Sequence, residues 1–237
     1  MKSIIHPASS RGGGDYGWLK TKYSFSFADW HDASRMGFGA LRVLNDDHIE
    51  AGKGFDPHSH KDMEIVTIVT KGAVAHKDSS GGAGTVSVGE VQAMSAGSGV
   101  THAEYNASKT EDLDLFQLWF LPKTPGGLPR YATKSFEGIA TTAGVTLLVG
   151  PDGTKDALTI NQDAYLSYVS VTVDEPVTYT LNDTEHGVYV FVIEGDVDVS
   201  GETLSTRDAI GIIEVSEITL TAKSQRVTAL IIEVPVD

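Results

Sequence analysis

Two short stretches carry side chains able to hold a metal ion. One is Phe55-Asp56-Pro57-His58-Ser59-His60; the other is Gly97-Ser98-Gly99-Val100-Thr101-His102-Ala103-Glu104. In each, two ligand-type residues stand one residue apart. On an extended strand, residues i and i+2 point to the same face, so His58 with His60, and His102 with Glu104, can converge. Between the pairs lie a strand, a tight glycine turn and a second glycine-rich turn, enough chain to bring them together. The pattern predicts one mononuclear site of three imidazoles and a carboxylate. Imidazole nitrogen suits iron, nickel, copper, zinc and cobalt alike, while one carboxylate offsets part of the divalent charge and favours harder ions. Such a set leaves two positions on an octahedral ion for water, a substrate oxygen or dioxygen. A closed structural zinc site would more often use cysteine, and the chain has none.

Scattered surface histidines are the plain alternative. It is preferred for His6, His31, His48 and His186, which have no ligand-type neighbour at strand spacing. It is favoured too for His76, two residues beyond Val74, which could otherwise border the site. Chance explains two ligand pairs flanking one glycine-bounded hairpin poorly. Glu64 stands on the predicted strand face of His58 and His60, and three roles are open to it: ligand, acceptor for a histidine N–H, or ion-pair partner.

The elements that must position these residues read as short strands. Lys22 to Phe27 alternates, with Tyr23, Phe25 and Phe27 on one face, and predicts a half-buried strand. A short helical turn is expected over Asp29 to Arg35, a strand over Gly39 to Leu44, and a turn at Asn45-Asp46-Asp47. Further strands are expected over Met63 to Val69, Thr85 to Val91 and Leu113 to Leu121. Beyond them come Tyr165 to Val173, Val177 to Leu181, Val188 to Ile193, Ala209 to Ile213, Ile218 to Thr221 and Val227 to Val234. Many short strands with almost no helical period indicate an all-β sandwich or barrel. Arg11-Gly12-Gly13-Gly14-Asp15 reads as a flexible turn, because no strand precedes it and no helix follows to make a phosphate cradle.

Lys123-Thr124-Pro125-Gly126-Gly127-Leu128-Pro129 is the best linker, dividing the chain into 1–128 and 129–237. An internal echo supports two similar β domains. The run from Ile65 through Gly72 to Val74 matches the strand, glycine turn and strand of Tyr189 to Val197. Superposing Gly72 on Gly195 places Leu181 at His58 and Asp183 at His60. Pairing Gly89-Glu90 with Arg207-Asp208 places Leu220 at His102 and Ala222 at Glu104. The second copy is thus expected to lack metal ligands.

At 237 residues with 41% hydrophobic content, the chain has ample material for a packed core. Its formal net charge of −14 disfavours direct contact with nucleic acid or an anionic membrane. The absence of cysteine removes disulfides and thiol nucleophiles together. Met1 to Lys20 has no apolar stretch after Lys2 and does not read as a signal peptide, and no run is apolar enough to span a bilayer. A cytoplasmic location is expected by default.

These residues resemble the cupin superfamily. His58-x-His60-x-x-x-Glu64 followed by Gly72 is close to the first cupin motif, and Gly99-x-x-His102-x-x-x-Asn106 matches the end of the second. The wider context is similar to the bacterial branch of the pirin-like bicupins. It is carried by Phe25-Ser26-Phe27-Ala28, the stretch Met36 to Val43, Asn45-Asp46-Asp47, Asp62-Met63-Glu64, the stretch Gly89 to Gly99, and His102 to Asn106. The likeness is dense in the N-terminal half and only an outline in the C-terminal half.

The resemblance implies two tandem cupin-type β-barrels, jelly-roll-like, with metal in the first alone. It implies His58, His60, His102 and Glu104 as the ligands of one divalent transition metal, iron(II) first, with nickel, cobalt, copper, manganese or zinc as alternatives. Glu64 then becomes an acceptor behind a histidine. Pirins usually carry a bulky aromatic after Gln92, where this chain has Ala93, a departure expected to reshape a wall near the metal. The implied activity is quercetin 2,3-dioxygenase, which opens a flavonol heterocycle with dioxygen and releases carbon monoxide, with Glu104 as base. Phe38, Phe55, Met94 and Phe116 are expected to wall the pocket. The implied partners are a flavonol-like aromatic small molecule and dioxygen, and the family is mostly monomeric. Two other functions stay open: a metal-dependent regulatory or interaction protein of the pirin type, and a non-oxygenase cupin such as an isomerase or small-molecule binder.

Overall fold

β-branched and aromatic runs separated by glycine turns leave little choice but sheet. The computed structural model describes residues 1–136, 138–139 and 143–236, and its one helical element among them is the single turn Ala8–Ser10. The strands form two barrels, each a seven-stranded sheet facing a four-stranded one.

In the first barrel the large sheet runs, in spatial order, Arg130–Ser135, Glu90–Ser95, Glu64–Lys71, Leu113–Phe120, Leu41–Ile49, Leu19–Tyr23, Gly12–Asp15. Its small sheet runs Gly54–His60, Val100–Asn106, Ala73–Asp78, Ala83–Ser87. The second barrel repeats the arrangement. Its large sheet runs Lys2–His6, Ala209–Ile213, His186–Glu194, Arg226–Pro235, Tyr165–Thr172, Gly144–Pro151, Leu158–Ile160. Its small sheet runs Val177–Thr180, Glu217–Ala222, Val197–Val199, Glu202–Leu204.

The two edge strands are exchanged. Lys2–His6 lies antiparallel on Ala209–Ile213 in the second barrel, while Arg130–Ser135 lies antiparallel on Glu90–Ser95 in the first. Each half of the chain, cut at 128/129, therefore lends a strand to the other's sheet. A shared apolar layer joins the barrels: Phe25, Leu44, Val66, Phe116 and Phe120 from one meet Leu166, Tyr189, Phe191 and Leu230 from the other. Phe116 meets Phe191 edge to face at 5.4 Å.

The repeat is real, with its register displaced by two from the sequence reading. His76 pairs with Glu104 and Asp78 with His102, whereas four residues after Gly195 Val199 pairs with Leu220. Leu220 thus stands at Glu104 and Ile218 at His102. Since His58 pairs with His102 and Tyr179 with Ile218, Tyr179 stands at His58, and Leu181 at His60. A slip of two keeps every side chain on the same face, so the conclusion about the ligands survives. All four replacements are buried in the apolar interior of the second barrel.

Several local expectations are corrected. Asn45-Asp46-Asp47 is no turn but the middle of the long strand Leu41–Ile49, because its neighbours on both sides offer a complete hydrogen-bond ladder. The strand expected over Lys22 to Phe27 ends at Tyr23, and Asp29 to Arg35 holds no helical turn. Instead the chain reverses tightly at Phe27 and Trp30, which exchange backbone hydrogen bonds around Ala28 at φ +49°. The strand expected over Thr85 to Val91 is split by Gly89, whose φ of +85° belongs to a turn. The glycine run Gly12–Asp15 is an edge strand on Leu19–Tyr23.

Candidate metal centre

Pro57 has no N–H to give the ladder, and the strand bearing it is bulged there: His102 pairs with His58 but Glu104 pairs with Phe55, so one extra residue is absorbed. Gly54 allows the close approach beyond the bulge, where a Cβ would meet the Glu104 carbonyl oxygen at 2.3 Å. The bulge aims His58 and His60 together. His58, His60 and His102 gather with ring centroids 4.5 to 4.9 Å apart, and each offers a nitrogen within 4.8 Å of the other two.

Their chemistry fits a cation. His58 Nδ1–H donates to the Asp56 carbonyl at 2.8 Å, which fixes the tautomer and frees the Nε2 lone pair. Burial, helped by His58, pulls the His60 imidazole down to about 4, and burial likewise pulls His102 down to about 4. Neutral rings are what a metal needs. His102 Nε2 is buried with no hydrogen-bond partner, a loss that an ion would relieve.

Glu104 lies beside this trio rather than inside it. Its carboxylate groups with His76 and His102 within the same 4.8 Å limit, and it lines the same cavity as His58 and His60. Gln92 Nε2–H donates to Oε1 at 2.7 Å and Gln117 Nε2–H donates to Oε2 at 2.9 Å. Burial pushes the carboxyl up, but His76, His102 and Gln92 more than offset it and leave the pKa below its ordinary value.

Behind Glu104 stands a buried histidine–aspartate pair that sequence reasoning missed. His76, read as a scattered histidine, is buried between Glu104 and Asp78, with Nε2 at 3.0 Å from Asp78 Oδ2. Burial lowers its pKa, yet the two carboxylates outweigh that and raise it overall. The Tyr131 ring stacks on His76 at 4.3 Å, and its hydroxyl donates to Gln92 Oε1 at 3.0 Å. Trp119 Nε1–H donates to Gln117 Oε1 at 2.9 Å, and the Trp119 ring meets His60 edge-on at 4.8 Å. Gln92 and Gln117 had one visible signal, a lone amide in the middle of an apolar strand. Tyr131 had none, since it arrives on the exchanged strand.

Three expectations about the surroundings fail. Of Phe38, Phe55, Met94 and Phe116, Phe55 alone lines the cavity; Phe38 and Phe116 belong to the layer between barrels, and Met94 packs on Ile65 and Val100. Ala93 follows Gln92 on the strand, so it faces away from Glu104 into the same inter-barrel layer. Glu64 likewise faces away. Asp62, at φ +51°, breaks the strand after His60, and Glu64 accepts a hydrogen bond from Ser95 Oγ at 2.5 Å. The substitution Glu64→Gln is accordingly expected to leave metal content unchanged; loss of metal in that variant, measured on the purified protein, would return Glu64 to the site.

The cavity in front of the imidazoles has a volume of about 190 Å³ and is walled by Tyr23, Phe27, Phe55 and Trp119. Among the described residues, the groups of ligand-type side chains close enough to share an ion all lie in the first barrel.

Comparison with known proteins agrees with this geometry. The family described as Pirin matches residues 5–120, and the one described as the quercetinase C-terminal cupin domain matches residues 147–234. A protein of Escherichia coli named quercetin 2,3-dioxygenase is 41% identical over 220 residues, covering 93% of this chain and 94% of that one. A pirin-like protein of Caulobacter vibrioides is 44% identical over 217 residues, covering 91% and 93% respectively. The solved structure of the bacterial pirin YhhW from Escherichia coli in complex with nickel(II) matches with a TM-score of 0.93 at 39% identity, over 100% of both chains.

Proposed function

The chain belongs to the pirin family, and on that premise we propose that it is a metal-dependent dioxygenase that cleaves a flavonol such as quercetin and releases carbon monoxide. One observation carries the reading: three clustered imidazoles with an anchored carboxylate beside them stand at an aromatic cavity lined by His58, His60 and Glu104, while the matching positions of the other barrel are hydrocarbon or phenol. In this proposal His58, His60 and His102 hold the ion through nitrogen and Glu104 through oxygen. Iron(II) is the first choice, and nickel is supported by the nickel(II) complex of YhhW. When bound, such an ion supplies Lewis acidity toward the flavonol 3-hydroxyl and a place for dioxygen chemistry.

The chain's own residues do the rest. Glu104 takes the 3-hydroxyl proton, and its lowered pKa keeps it in the ionised form that can accept one. Gln92 and Gln117 hold both its oxygens in place, and the Asp78–His76 pair stands behind it. Phe27, Phe55 and Trp119 present apolar surface that sandwiches a flat aromatic ring and excludes water from the reacting carbon.

The test is to load the purified protein with iron(II), nickel, cobalt, copper or manganese in turn and add quercetin. Loss of flavonol absorbance with matching dioxygen uptake and carbon monoxide release is the expected result. Stoichiometric metal binding without turnover by any of them would overturn the dioxygenase and favour a regulatory or ligand-binding role.

A further inference from the structure

The cavity has a polar wall that the metal chemistry leaves unused. Thr21 and Asp47 pair directly across adjacent strands, and Asn45 is two residues from Asp47 on the same face. Asn45 in turn stands opposite Gln117, the residue that holds Glu104, so the polar surface runs without a break from the site to this wall. All three line the cavity with His58, His60 and Glu104. They are 3%, 4% and 5% exposed for Thr21, Asn45 and Asp47. Asn45 Oδ1 is buried without a hydrogen-bond partner, and Asp47 has the neighbouring Thr21 hydroxyl as its one side-chain donor.

A buried carboxylate and amide oxygen with so few donors are costly, since nearly all buried polar groups in folded proteins are satisfied. In the equivalent strands of the second barrel Ser167 stands at Asn45, its Oγ likewise buried without a partner, while apolar Val169 stands at Asp47. There Ile231 pairs with Ser167 as Gln117 pairs with Asn45, and Ala229 pairs with Val169 as Leu115 pairs with Asp47. Val169 is packed in that barrel's apolar core. An aspartate at the matching place in the first barrel is therefore no requirement of the architecture.

We propose that Thr21, Asn45 and Asp47 form a specificity subsite that accepts hydrogen bonds from ring hydroxyl groups of the substrate, the aromatic ring itself lying between Phe27, Phe55 and Trp119. The inference rests on the flavonol reading above and adds to it: the substrate class is a polyhydroxylated aromatic, bound at one end near the imidazoles and at another by this acceptor wall. One carboxylate and two neutral oxygens suit hydroxyl donors on a flat ring better than a second cation, since the surrounding surface is aromatic. Burial, with the nearby Asp46 and Glu104 charges, pushes the Asp47 carboxyl up to about 7 against the hydrogen bond from Thr21.

The test compares three flavonols on zinc-loaded protein, where binding is read by calorimetry apart from turnover. 3-Hydroxyflavone keeps the 3-hydroxyl but carries none on its rings, galangin has hydroxyls on the fused ring only, and quercetin has them on both. Wild-type protein is expected to bind quercetin or galangin about tenfold or more tightly than 3-hydroxyflavone, the worth of one charge-assisted hydrogen bond. In Asp47→Asn and, as a second isosteric variant, Thr21→Val, that preference shrinks to about threefold or less while 3-hydroxyflavone affinity and zinc content stay constant. Equal binding of all three by wild-type protein, failure of all three to bind, or a preference that survives both variants would overturn the subsite. The same is true of phenethylammonium competing better than phenol, since the wall would then serve a cation. Iron-loaded protein that consumes dioxygen without this preference sinks the subsite alone. The preference without dioxygen uptake under any metal sinks the dioxygenase alone.

Discussion

Replacing His102 by alanine is expected to strip the protein of its metal and of every metal-dependent turnover. His102 is the one residue shared by both groups of ligand-type side chains, the trio with His58 and His60 and the trio with His76 and Glu104. Its Nε2 is buried and unpartnered, and is thus held free of any competing hydrogen bond. Loss of an outer partner of a metal ligand costs about 10–100-fold in affinity, and loss of a ligand should exceed that. Metal analysis after dialysis, with circular dichroism to show that the barrels persist, reads the result. Retained metal together with retained activity would mean that the ion sits elsewhere. Glu104→Gln sharpens the picture: metal lost with the charge makes Glu104 a ligand, whereas metal kept with turnover lost leaves it a base held by Gln92 and Gln117.

The largest effect on stability is expected far from the metal, at Glu233. This residue is 0% exposed within an apolar strand of the second barrel. It gathers a hydrogen bond from Tyr179 Oη at 2.7 Å, from the Asn182 side chain at 2.9 Å, and from the backbone N–H groups of Asn182 and Asp183. His186 Nδ1 lies 3.0 Å away. The carboxylate thus ties the end of Val177–Thr180 and the following turn to Arg226–Pro235. Alanine would leave several buried donors without an acceptor, so a loss of about 3–5 kcal/mol is expected. For a chain of this size that corresponds to roughly 10 °C in the thermal midpoint. The metal content of the folded fraction should be unchanged, because Glu233 belongs to the other barrel. A midpoint close to that of wild-type protein would show that the turn holds without it.

The exchanged edge strands give these two results a common setting. Because Arg130–Ser135 brings Tyr131 onto His76, the first barrel's centre depends on chain that lies beyond the linker. Lys2–His6 does the reverse, and His6 Nδ1 lies 2.9 Å from the hydroxyl of Tyr189 in the second barrel. The two barrels are folded through each other's edges.

The sequence by itself determined the all-β class, the repeat and the imidazole trio, for a local reason: same-face spacing along a strand is a property of neighbouring residues. The grouping of His58, His60 and His102 could be read off in that way, and so could the lack of ligand-type residues at the matching places of the second copy, since an error of two preserves the face. What tertiary structure alone decided was everything that depends on which strand lies beside which. Asn45 and Asp47 look like turn formers until both flanking strands supply a ladder, and only then do they become a buried polar face of the cavity. Glu64 looks like a neighbour of His60 until the left-handed Asp62 turns the chain over. His76, Gln92, Gln117 and Tyr131 lie on separate strands, and no spacing relates them. Gln92 and Gln117 donate to Glu104, with His76 beside it and Tyr131 donating to Gln92, because burying a carboxylate requires donors and the barrel brings them to it.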